Sequence, residues 1–227
     1  QVYYTCCCQF PERISKGLGT MLKVIGRDNS SNVMKVVWAC AEIGVPFERV
    51  DMGGEFGMSA EYLAMNPNAR VPSIIDGDFS LWESNAIVRY LAQKHSDGGL
   101  WPADVQLRAD MDRWMDWQQT TLGPAFRDVF WGLVRTPEAE RNYDAINAAV
   151  NASAAAFRIL DHKLEGRDYL GGSELTMGDI PFCGFVHRWF GIDIDGRPDD
   201  MPNLRAWYDR LCQRPAFRTH IADIPIA

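Results

Sequence analysis

The sequence predicts two halves of different class, an α/β unit followed by an all-α unit. Short apolar runs alternate with helical patterns as far as His95, and an Asp-Gly pair separates two strand-like runs. From Asp104 onward strand signals vanish. Segregating sheet elements and helices in this way calls for two hydrophobic cores, so the division belongs at Ser96–Asp104, giving units of 21–97 and 104–227.

Leu22–Gly26 is a short apolar run ending in Gly-Arg-Asp-Asn-Ser-Ser, after which Val33, Val36, Val37, Cys40 and Ile43 recur at helical spacing until Gly44. This reads as strand, loop, helix, stop. Pro46–Met52 alternates Phe47 and Val50 with charged residues, a second strand, and runs into the Gly-rich loop Gly53–Gly57. Ser59–Ala64 suits a brief helix. Asn66-Pro67-Asn68 then punctuates the chain, and Val71–Ile75 and Phe79–Trp82 face each other across Asp76-Gly77 as a hairpin. Glu83–His95 sets Ile87, Val88, Tyr90 and Leu91 on one helical face, which completes the order β-α-β-α-β-β-α.

In the second half, Leu107, Met111, Trp114, Met115 and Leu122 stripe one helix, while Tyr143, Ile146, Val150, Phe157, Leu160 and Leu164 stripe another. Thr176 and Asp179 stand three apart ahead of Ile180–Phe190, the Asp variant of a capping box, with Leu175 and Ile180 placed as a hydrophobic staple. Leu204, Trp207, Tyr208 and Leu211 mark a final helix.

Composition bounds the function. With 47% hydrophobic and 23% charged residues in 227, disorder is excluded. Thirty acidic against 23 basic residues, a net charge of −7, disfavour general affinity for nucleic acid or anionic lipid. No apolar run approaches the roughly 18 residues of a membrane span, and the first twenty residues lack a secretory pattern, so a cytoplasmic protein with no membrane partner is expected. Met21 opens a clean strand pattern, so 1–20 reads as a leader outside the native fold, and its Cys6-Cys7-Cys8 run has no assigned role. The six cysteines form no C-x-x-C, and His95, His162, His187 and His220 are scattered without ligand spacing, so no metal is expected. Gly53–Gly57 lacks the spacing and Lys of a phosphate loop, and Asp193, Asp195 and Asp199 lack the positions of a calcium loop.

Three loops carry chemistry. Ser30, Ser31 and Asn32 lie between the first strand and the first helix, where free backbone N–H groups and the helix dipole favour an anion or thiolate. The same residue types are also preferred N-caps. Pro72 at the entry of the third strand marks either a sheet edge or a cis bond, and a cis bond aims the Val71 N–H and C=O outward toward a peptide ligand. Glu83 and Ser84, opening the next helix, offer a carboxylate to an amine, and a hydroxyl plus a free N–H to a carboxylate, a pair suited to an amino-acid zwitterion. Equally, Glu83 complements the helix dipole and Ser84 fills a first turn.

Taken together, a βαβ–loop–ββα unit with X-Pro before its third strand and Glu-Ser after its fourth resembles the thioredoxin-like half of the glutathione transferase family. The resemblance runs from Met21 to the C-terminus and is specific in Ala69-Arg70-Val71-Pro72, in Trp82-Glu83-Ser84-Asn85-Ala86-Ile87 and in the Thr176–Asp179 box. It points to cytosolic, Ser-type members of the theta-like, zeta-like and nu-like bacterial kind, and implies glutathione as co-substrate and a homodimer. The residues it implies as catalytic are Ser30, donating to the glutathione sulfur, and Asn32 as auxiliary. Ser31 and Asn32 are rivals of Ser30 for the sulfur. Ser31, Arg70, Val71, Pro72, Glu83 and Ser84 are implied to bind glutathione, Val71 through its backbone and Glu83 with Ser84 at the γ-glutamyl end. A second substrate is placed against the helix carrying Arg113, Trp114 and Trp117, whose tryptophans also suit a core. The implied reaction is thiolate attack on a small hydrophobic electrophile. The alternatives are glutathione-dependent disulfide reduction, dehalogenation or isomerisation, or a non-catalytic binding or scaffold role.

Overall fold

Buried Leu22 and Val24 alternate with exposed Lys23 in β1 (Leu22–Ile25), an interior strand of a four-stranded sheet. The computed structural model describes residues 21–96 and 98–227, so the expected leader and Cys6-Cys7-Cys8 lie outside the described residues. The sheet order is β2-β1-β3-β4. β2 (Phe47–Val50) runs parallel to β1, and the hairpin of β3 (Ser73–Asp76) and β4 (Phe79–Trp82) runs antiparallel. Asp76 pairs with Phe79, so the turn is Gly77-Asp78, one residue later than the Asp-Gly pair suggests. β3 begins at Ser73 because Pro72 has no N–H to give a ladder.

α1 (Ser31–Glu42) is buried from Val33 to Cys40 because it serves two cores at once. Val33, Val36, Val37 and Cys40 pack on the sheet, while Met34, Trp38 and Ala39 join the cluster of the helical half. α2 (Ala60–Met65) is capped by Ser59, and α3 (Ser84–His95) follows β4 directly. This is the expected α/β unit of thioredoxin-like order, followed by a mostly helical half.

That half comprises α4 (Val105–Trp117), α5 (Gly123–Phe130), α6 (Tyr143–Lys163), α7 (Cys183–Gly191) and α8 (Pro202–Cys212). The stripe that spacing runs through to Leu122 is broken by a π-type turn at Gln118–Leu122, after which α5 continues. Pro124 stands in the first turn of α5, where no N–H is needed. Ahead of α7, Ile180–Phe182 is a 3₁₀ turn containing Pro181. Among the described residues no helix is long and apolar enough to cross a membrane.

Candidate active site

A cleft of about 510 Å³ opens where the β3 corner, the start of α3 and the first turns of α1 meet α5 and α7. From the first half Asn32, Lys35, Arg70, Val71, Pro72, Glu83 and Ser84 line it, and from the second Gln118, Gln119, Gly123, Pro124, Arg127, Trp131 and Phe185. The Val71–Pro72 bond is cis. The corner before it is tied back by α2, since the Tyr62 hydroxyl and the Asn66 amide both donate to the Arg70 carbonyl, at 2.6 and 2.8 Å. Glu83 turns the chain from β4 into α3 with a left-handed φ of 73°, a conformation that costs a non-glycine residue about 1–2 kcal/mol. Its side chain is exposed, and Ser84 behind it is buried.

Ser30 holds the N-cap position of α1, but its hydroxyl makes no cap bond. Of the three candidates in this loop, Asn32 lines the cleft, while Ser30 and Ser31 flank it in sequence without being among its lining residues. Ser31 packs on α7 at Gly184, where an added Cβ would lie 2.8 Å from the Ser31 Cβ. The loop is held from the helical half: Arg188 on α7, stacked 3.9 Å from the Phe130 ring, donates to the Asn29 carbonyl at 2.7 Å. Burial lowers the Arg188 pKa to about 10.

Beneath Asn32 lies a buried polar cluster. Lys35, 2% exposed, donates to Gln118 Oε1 at 2.8 Å, Asn85 Oδ1 at 3.2 Å and Ser84 Oγ at 3.4 Å. Ser84 Oγ in turn donates to Asn32 Oδ1 at 3.3 Å. Burial pulls the Lys35 pKa down from 10.5 to about 8, against weaker raising by the Glu83 carboxylate. The thiols of Cys40 and Cys183 are pushed up to about 12 by burial, which keeps both neutral.

Arg113, Trp114 and Trp117, expected as a second-substrate wall, sit away from this cleft's lining. Arg113 points outward, its side chain 71% exposed and paired with Asp110. Trp114 is buried in the helical core against Trp117 and Phe182, and Trp117 packs there beside it. None of the three lines the cleft. The tryptophan that does is Trp131, just past α5, with Arg127 four residues before it. Among the described residues no group of three or more His, Cys, Asp or Glu is placed to hold a metal ion.

Models of the glutathione S-transferase N-terminal and C-terminal domains match residues 21–93 and 111–215. The chain is 41% identical over 211 residues to glutathione S-transferase GstB of Escherichia coli strain K12, covering 91% of this chain and 100% of that protein. It belongs to the glutathione S-transferase family. Among solved structures it is similar to the theta class glutathione S-transferase of Xanthomonas axonopodis pv. citri with glutathione bound, at 44% identity and a TM-score of 0.86, over 91% of this chain and 99% of that one. Glutathione S-transferase D6 of Drosophila melanogaster is 29% identical over 204 residues, 87% of this chain and 91% of that protein.

Within this glutathione S-transferase fold, Lys35, Gln118 and Arg188 are among the polar residues that sequence reasoning passed over. A signal existed for two of them. Lys35 is the lone charge in Val33–Cys40, and Arg188 the lone guanidinium in the apolar Ile180–Phe190 stretch. A cation that interrupts an apolar run on every face of a helix is buried with it.

Proposed function

We propose that this chain binds glutathione in the cleft, ionises its thiol and directs the thiolate at a small hydrophobic electrophile. One observation carries the reading. On a chain of net charge −7, three cations, Lys35, Arg70 and Arg127, line the cleft beside a single carboxylate, Glu83. Glutathione has the matching chemistry, with two carboxylates, one ammonium and one thiol. In this reading Glu83 takes the γ-glutamyl ammonium, and the first backbone N–H groups of α3, that of Ser84 among them, take the adjoining carboxylate. The Val71 backbone pairs with the cysteinyl residue beside Pro72, Arg70 meets the tail, and the sulfur lies at the start of α1 among Ser30, Ser31 and Asn32.

The work to be done there is thiol activation. A free thiol with a pKa near 8.5 is only a few per cent ionised at neutral pH, and lowering it by about two units corresponds to roughly 2.7 kcal/mol. A hydroxyl or amide does this by donating to the sulfur anion rather than by taking its proton, which passes to solvent. The thiolate lone pair then forms the S–C bond as the leaving group departs. We place the electrophile against Gly123, Pro124, Trp131 and Phe185, with Arg127 at the mouth.

The test is the ultraviolet absorbance of bound thiolate against pH, combined with turnover of a haloaryl substrate and of a small disulfide. Ser30→Ala and Asn32→Ala should each raise the bound thiol's pKa and slow haloaryl conjugation. If neither variant moves either quantity, the reading fails, and faster turnover of the disulfide would favour reduction over conjugation. A cytoplasmic homodimer is the assembly that family membership supports, and sedimentation at twice the 25.6 kDa chain mass is the expected result.

A further inference from the structure

A buried ammonium that meets only neutral oxygens is an unusual object, because taking a charge out of water is repaid only by a counter-charge or a full set of hydrogen bonds. Lys35 has the second and lacks the first. Its three protons go to Gln118, Asn85 and Ser84, and the Phe185 ring centroid lies 5.9 Å from its nitrogen. The titratable groups near it are Glu83 at the β4–α3 corner, whose side chain is exposed, and Cys183 on α7, held neutral by burial.

An ammonium donates and never accepts, so it sets the direction of every hydrogen bond that starts from it. Ser84 Oγ accepts from Lys35, and its own proton goes on to Asn32 Oδ1. That fixes the Asn32 amide. With Oδ1 engaged on Ser84, the other arm of the planar amide, Nδ2, can only donate, and Asn32 lines the cleft. Asn85 is oriented in the same way: its Oδ1 accepts from Lys35 while its Nδ2 donates to the Met115 carbonyl at 2.8 Å. A hydrogen-bond chain that begins at a cation therefore ends in a donor at the cleft surface, where an anion is to be held.

We propose that Lys35 is a positioning residue, the buried origin of a hydrogen-bond chain through Ser84 that turns the Asn32 amide nitrogen toward the substrate sulfur. The proposal rests on the reading that the cleft takes glutathione. It assigns Lys35 no contact with substrate, and its effect on the thiol passes through Asn32.

The experiment is a double-mutant cycle on the pKa of the bound thiol, read from thiolate absorbance in wild type, Lys35→Met, Asn32→Ala and the double variant. Lys35→Met should raise that pKa by about one unit, a tenfold smaller thiolate fraction at pH values below it. Asn32→Ala should raise it by a similar amount, and the double variant should move no further than either single one. A single cooperative thermal transition checks that each variant folds. Should Lys35→Met fail that check, Lys35→Gln replaces it, being polar and uncharged with no fixed donor direction. An unchanged thiol pKa in a folded Lys35 variant overturns the proposal, and so do additive shifts, which would mean that the charge acts on sulfur directly. Absence of a thiolate signal in the wild type is a different result: it removes the glutathione reading itself, and the proposal with it.

Discussion

Asp179 accepts four hydrogen bonds without any charged partner, from Leu170 N, Thr176 N, Thr176 Oγ1 and Trp207 Nε1, at 2.9 to 3.2 Å. Desolvation outweighs these donors and pushes its pKa up to about 6, which leaves it ionised at neutral pH. Asp179→Ala would orphan three buried N–H groups at roughly 1–3 kcal/mol each, so urea unfolding should show a loss of at least about 3 kcal/mol. Lys35 makes a prediction of opposite character. Its native pKa lies near 8 and its unfolded value near 10.5, so across that window the unfolded chain binds more protons and this residue's contribution to stability rises with pH. Below pH 8 the buried charge costs on the order of 3 kcal/mol. The unfolding free energy of wild type relative to Lys35→Met should therefore shift in favour of wild type by that order between pH 8 and pH 10.5. A difference that stays flat with pH would show that burial does not hold the lysine down.

Among the elements, α1 and α7 depend on close approach. Gly184 sits so near the first turn of α1 that a Cβ would meet the Ser31 Cβ at 2.8 Å and its Cα at 3.1 Å, and a backbone atom cannot swing aside. Gly184→Ala should cost about 1–3 kcal/mol by overpacking and slow glutathione turnover, because the displaced turn carries Ser30 and Asn32. Wild-type turnover in a destabilised Gly184→Ala protein would mean that α7 yields instead. Element type was largely legible beforehand, because a buried face repeats every 3.6 residues in a helix and alternates in a strand. The π-type turn at Gln118–Leu122 was not, since apolar spacing continues smoothly through it while the backbone changes register.

Across the whole molecule, the two halves are joined by an ion pair at the far end of α1. Arg214 donates to both oxygens of Glu42, at 2.8 and 2.6 Å, and Trp38 Nε1 donates to one of them at 2.7 Å. The Glu42 side chain is 8% exposed and that of Arg214 33%. Arg214→Met should cost about 3 kcal/mol, the low end for a broken buried pair because Arg214 is partly hydrated. The check is chemical denaturation, with Arg214→Met/Glu42→Gln expected to recover part of the loss. The cleft opens between the same halves, so loosening this pair should also raise the KM for glutathione.

Local signals in the sequence determined the order of elements, the special corner at Val71–Pro72, the acidic opening of α3 and the Thr176–Asp179 box, because each depends on residues within a few positions of one another. Only the tertiary structure decided which helical faces share the cleft. Spacing says that Trp114 and Trp117 have an apolar side, but what covers that side is a neighbour distant in sequence, here Phe182, whereas Trp131 and Arg127 are left to face the opening. For the same reason Lys35 was invisible as a working residue: its role is set by Ser84, Asn85 and Gln118, all at least 49 positions away, which only folding brings to its three protons.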